Sequence, residues 1–66
     1  VTDSAGRVWL DREGVPIACV EKLRVLRENE AELAQMLRDV FEDAVLMGVG
    51  HDEMRRILHG LVEGLA

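Results

Sequence analysis

The sequence predicts an all-α chain. A long helix and a short helix form an antiparallel hairpin behind a short N-terminal extended or β-hairpin arm, and two such chains build a dimeric four-helix bundle. Three observations carry this expectation. Residues 19–47 contain no Gly or Pro and are rich in Leu, Glu, Arg, Ala and Met, all strong helix formers. Apolar residues there recur at alternating steps of four and three. A "GVG" at 48–50 then separates this stretch from a second periodic one.

Residues 1–6, "VTDSAG", are small and polar and are expected to be flexible. In residues 7–18, Val8 and Leu10 alternate with Arg7, Trp9 and Asp11. "DREG" follows, with Asp at the first and Gly at the last position of a type I turn. Val15 and Ile17 could pair back on Val8 and Leu10, with Pro16 restricting the arm to an edge. An isolated two-stranded hairpin is barely stable in water, so the arm must lie on helices or pair across a subunit boundary, with Trp9 as anchor or as partner contact.

The long helix, 19–47, carries a heptad series: Cys19, Leu23, Leu26, Glu30, Leu33, Leu37, Val40, Ala44, Met47. Eight of these nine are apolar or thiol, the pattern of a coiled-coil seam. The stripe widens toward its end, where Ala34, Met36, Phe41, Val45 and Leu46 join it. A narrow seam suits one partner helix; a broad stripe suits a bundle core. Gly48 is placed to end the helix. Gly50 is the expected cap of a second helix over 51–65, whose first turn carries Asp52 and Glu53 near the positive end of the dipole. There Met54, Ile57, Leu58, Leu61, Val62 and Leu65 repeat at three and four. The expected hairpin core is Phe41, Ala44 and Val45 against Met54, Ile57, Leu58, Leu61 and Val62.

Length leads to association. About 28 helical residues span roughly 42 Å, whereas a compact globule of this size has a gyration radius of only about 11 Å. The short helix, roughly 22 Å long, covers only the back half of the long one. Leu23, Leu26 and Leu33 then need shelter, either from a second copy or from the arm. The expected dimer seam is Leu23, Leu26, Glu30, Leu33, Leu37 and Val40. Glu30 interrupts it. It could pair with Arg24 or Arg27 of a second copy, fixing register, or lie where the seam opens to water.

Composition narrows the function classes. Sixty-six residues allow one small domain, read as a single helical hairpin, whose own core is marginal. Cys19 is the only cysteine, so no internal disulfide supports it, and association is the remaining way to gain stability. Formal net charge is -5, with 13 acidic and 8 basic residues. Neither residues 1–18, 19–50 nor 51–66 are net basic, which argues against nucleic acid, whose backbone is bound by Lys and Arg. The longest unbroken apolar runs, "IACV" and "AVLM", are four residues each, far below the roughly 18 residues of a membrane span. A lone thiol fits a reducing interior, so a cytoplasmic protein is expected.

Four constellations are candidates for chemistry. Ala44, Gly48, Val49, Met54 and Ile57 have helix-turn-helix spacing, so residues 44–60 could form a small DNA-binding regulator; any helix-Gly-helix corner shares this spacing. Glu30, Glu32, Asp39, Glu42 and Asp43 make one helix acidic, yet the Glu-x-x-His of di-iron bundles is absent; His59 and Glu63 stand four apart. Cys19 occupies a helix-start position where a thiol can be activated. Arg55 and Arg56, with His59, form a small basic spot able to touch an acidic partner. No phosphate loop, Ser-His-Asp set or H-E-x-x-H is present. The expectation is therefore a non-enzymatic, self-associating interaction or regulatory module with no cofactor and no metal. The alternatives are the DNA-binding regulator and an accessory subunit of a larger enzyme complex.

Overall fold

Residues 20–46 form one uninterrupted helix in the computed structural model, which describes residues 7–66. The expected flexible start, residues 1–6, lies outside the described residues. Two helices make up the described chain: α1, Val20–Leu46, and α2, His51–Glu63. They contact each other as a helical hairpin. The expected 19–47 shortens by one residue at each end because Cys19 is the cap rather than the first helical residue. α2 stops at Glu63 rather than 65, where Gly64 accepts the role of C-cap.

The boundary between the helices follows from backbone chemistry. Gly48 adopts φ +103, a left-handed conformation that costs any residue with a Cβ. The Gly48 N–H donates to the Val45 carbonyl at 3.0 Å and the Val49 N–H to the Ala44 carbonyl at 2.9 Å. These paired bonds are the Schellman closure, which satisfies carbonyls the helix end would otherwise leave open. Gly50 then starts α2 in an extended conformation, without a side-chain cap bond.

The chain divides into two compact units, Val1–Gln35 and Met36–Ala66, the division falling within α1. In the first unit, residues 7–18 contain no strand. They hold a single antiparallel bridge, Leu10 to Pro16, one residue away from the expected pairing of Val15 and Ile17 with Val8 and Leu10. The turn is organised by Asp11. Its carbonyl accepts from Gly14 N–H at 3.0 Å, and its Oδ1 accepts from the Glu13 and Val15 amides at 2.9 Å each. Gly14, at φ +82, lets the chain turn back so that Ile17 N–H reaches the Trp9 carbonyl at 2.7 Å.

In the second unit, the back half of α1 packs on α2. The ring of Phe41 lies 5.6 Å from that of His51, tilted by 53°, and the Arg55 guanidinium sits 5.4 Å from the Phe41 ring centre. Burial is sparse. Met54, at 7% exposure, is the one buried apolar residue among those described, and α1 contains no buried residue at all. Phe41, Ala44, Val45 and Leu58 are half-buried. Ile57, Leu61 and Val62, expected in the hairpin core, are exposed. One helix has a single neighbouring helix to cover it here, so only the line of closest approach is sheltered and the flanking apolar positions face water.

Candidate functional site

The second unit carries an open groove of about 570 Å³ between its two helices. One wall is the α1 face of Leu37, Arg38, Phe41 and Glu42; the other is the α2 face of Arg55, Leu58, His59 and Val62. Positions 37, 38, 41 and 42, like 55, 58, 59 and 62, are spaced at three and four, so each set lies along one side of its helix. The floor is apolar, with Phe41 and Leu58 half-buried and Leu37 and Val62 exposed. The rim is polar: Arg55 and His59 on α2, Glu42 and Arg38 on α1.

The six residues of the expected seam do not share one environment. In the first unit, Leu23, Leu26 and Glu30 are half-buried while Leu33 is 58% exposed. In the second unit, Leu37 and Val40 are each 42% exposed. Of the three front leucines expected to need shelter, Leu23 and Leu26 are thus partly covered in a single chain and Leu33 is not. Arg7 is the partner of Glu30 that the sequence could not name. Its guanidinium meets the Glu30 carboxylate in two hydrogen bonds of 2.8 Å, and the Glu30 side chain is only 17% exposed. Glu30 thus finds its counter-charge in its own chain, neither in Arg24 or Arg27 of a second copy nor in water. The hydrogen bond to Glu30, followed by its charge, holds the Arg7 pKa above the ordinary arginine value. The only signal in the sequence was a carboxylate on an apolar seam, which calls for a cation without saying which one.

Trp9 is half-buried, with Arg7 stacked 5.8 Å from its ring centre. Its Nε1 is buried without a hydrogen-bond partner, as is Arg27 Nε. The two arginines of the expected contact spot are engaged within α2. Arg56 Nε donates to Glu53 at 3.0 Å, and Arg55 reaches Asp52 at 3.5 Å while covering Phe41. The bond from Arg56 holds the Glu53 carboxyl below its ordinary pKa. Arg24 is likewise tied along α1, to Glu21 at 2.8 Å and Glu28 at 3.3 Å.

Cys19 is exposed and free. It stands before the first residue of α1, its carbonyl accepting from Leu23 N–H at 3.0 Å. The amide of Lys22, and to a lesser extent that of Glu21 and the Lys22 charge, lower the thiol pKa. Sulfur here takes the acceptor role that a Ser or Thr oxygen fills at other helix starts. Among the described residues, no three His, Cys, Asp or Glu side chains converge to hold a metal ion. Among the same residues, no helix is long and apolar enough to cross a membrane.

Comparison with protein-family models, with curated proteins and with solved structures found no match to this chain.

Proposed function

We propose that the chain is a non-enzymatic interaction module that self-associates through α1, two hairpins combining into a dimeric four-helix bundle. The observation that supports this is the imbalance of apolar side chains. Fifteen large hydrophobic residues are exposed among those described, whereas only Met54 is buried. Moving a leucine-sized side chain fully out of water is worth roughly 1.5–3 kcal/mol, and a stable small domain needs a net of about 5–15 kcal/mol. A single hairpin realises little of that gain. A second copy covers the exposed leucines without new sequence, and closed homodimers are the commonest solution to this problem. Leu33, Leu37 and Val40 are the seam positions left most open for it. An exposed, unpaired Cys19 fits a reducing compartment.

The DNA-binding reading has less support. Its donors, Arg55 and Arg56, are already paired with acids on their own helix, and the chain's net charge is -5, so little remains to bind phosphate.

Light scattering over a dilution series tests the proposal, with wild type beside Leu37→Asp. A dimeric mass for wild type and a monomeric mass for the variant support it. A wild-type monomer at every concentration overturns it.

A further inference from the structure

We propose that residues 7–18 are an autoinhibitory strap, which occupies the front of the α1 seam and must lift before a second copy can use Leu23 and Leu26. This rests on the self-association reading above and adds its regulation.

The pattern of burial places the strap. In the first unit, the half-buried positions of α1 are Leu23, Leu26, Arg27, Glu30 and Ala34, and every other residue from 20 to 35 is exposed. Steps of three, one, three and four draw a single stripe along one side of the helix. From 7 to 19, Trp9 and Ile17 are half-buried and the rest are exposed. The bridge of Leu10 to Pro16 sets Trp9 opposite Ile17, whose N–H donates to the Trp9 carbonyl at 2.7 Å. Opposed residues of an antiparallel pair point to the same side. The folded-back chain therefore has one covered face, Trp9 with Ile17, while Val8 and Leu10 stay exposed. Arg7 ties that segment to the stripe through two hydrogen bonds of 2.8 Å to Glu30. Among the described residues of this unit, only 7–19 and α1 are present to cover one another.

The strap is held loosely. Trp9 Nε1 on the strap and Arg27 Nε on the stripe are both buried without a hydrogen-bond partner. A buried donor left unpaired subtracts from what its burial gains. The Arg7 side chain is nearly half exposed, so water and salt weaken its pair with Glu30.

Glu30 discriminates between the two occupants. A carboxylate at a seam position is costly against a second apolar helix unless a cation pairs it, and Arg7 of the same chain supplies that cation. One residue thus favours the strap and disfavours association over the front of the seam. Leu33, the next seam position, is exposed.

Ile17→Asn tests the proposal in the full chain. It puts a neutral polar group on the covered face, leaves α1 and the net charge unchanged, and keeps Trp9, the only tryptophan, as reporter of the strap. In dilute solution Trp9 emission should move to longer wavelength, with the helices intact by circular dichroism. The dimer dissociation constant should fall by about tenfold or more, the factor by which a closed state populated about ten to one masks binding. A constant equal to or above that of wild type overturns the strap.

Wild type provides a second measurement that needs no variant. Across a dilution series, Trp9 emission should move to longer wavelength as the mass rises from monomer to dimer. Emission that stays fixed or moves to shorter wavelength overturns the strap while self-association stands. A wild-type monomer beside an Ile17→Asn dimer supports the strap and overturns self-association of the native chain. Monomers throughout overturn both.

Discussion

Arg7 and Glu30 meet through two parallel hydrogen bonds of 2.8 Å across 23 residues of sequence. This fork-to-fork geometry is the strongest form of the arginine–carboxylate contact. Because nearly half of the Arg7 side chain is exposed, solvent and salt screen much of it. Arg7→Ala should lower the melting temperature, and the difference from wild type should shrink in about 1 M salt. The exchanged pair, Arg7→Glu with Glu30→Arg, should recover part of the loss. An unchanged melting temperature for Arg7→Ala at low salt would show that the contact does not hold residues 7–18 to α1.

Met54 is the one buried apolar side chain among the described residues. Met54→Ala should cost roughly 2–4 kcal/mol, the sum of lost transfer energy and the cavity left behind. For a chain with so small a core, that is enough to remove most helical signal at room temperature. Urea titration followed by circular dichroism measures it. A midpoint within error of wild type would mean the helices are held by something other than their mutual contact.

Gly48 and Gly60 offer a controlled contrast. Beyond chain neighbours and the local helix backbone, neither has an atom within 4 Å of where a Cβ would stand, so space does not distinguish them and backbone conformation does. Gly48 lies at φ +103, where Ala is disfavoured by about 1–2 kcal/mol. Gly60 is in the interior of α2, where Ala is better than Gly by about 1 kcal/mol. Gly48→Ala should therefore destabilise and Gly60→Ala should stabilise, as read from thermal unfolding. The same sign for both would contradict this account of the turn.

Cys19 should react with iodoacetamide faster in the folded chain than in strong urea at neutral pH, since the helix-start amides, Lys22 first, lower its pKa. Lys22→Ala should retain most of this effect, because the backbone amide survives the substitution. The linkage runs with the thiolate: its contribution to stability is fully present above the ordinary value of 9.0. It is lost as pH falls through the lower folded value. Equal rates in folded and unfolded chains would remove the cap interaction.

The helices were legible in the sequence because their signals are local. An unbroken run of helix formers, a heptad series and a glycine at 48 place α1 within a residue of its observed ends. The Asp11–Gly14 turn was legible for the same reason, since its hydrogen bonds span no more than four residues. The partner of Glu30 was not. Periodicity marks a misplaced carboxylate on the seam, but the arginine that answers it lies 23 residues away, and only folding brings the two together. Leu61 and Val62 were misplaced by the converse limit. An amphipathic pattern shows which side of a helix is apolar, not how much of that side a neighbour will reach.

What the residues determined alone is therefore where the backbone can be helical, where it must turn, and that more apolar surface exists than one short chain can bury. These depend on propensity, spacing and area, which add up along the chain. What the tertiary structure decided is which of that surface stays open. Arg7 pairs with Glu30 on the long helix, and in its back half only Phe41, Ala44 and Val45 are partly covered. The choice rests on charge pairing and contact in three dimensions, and neither is encoded at any single position.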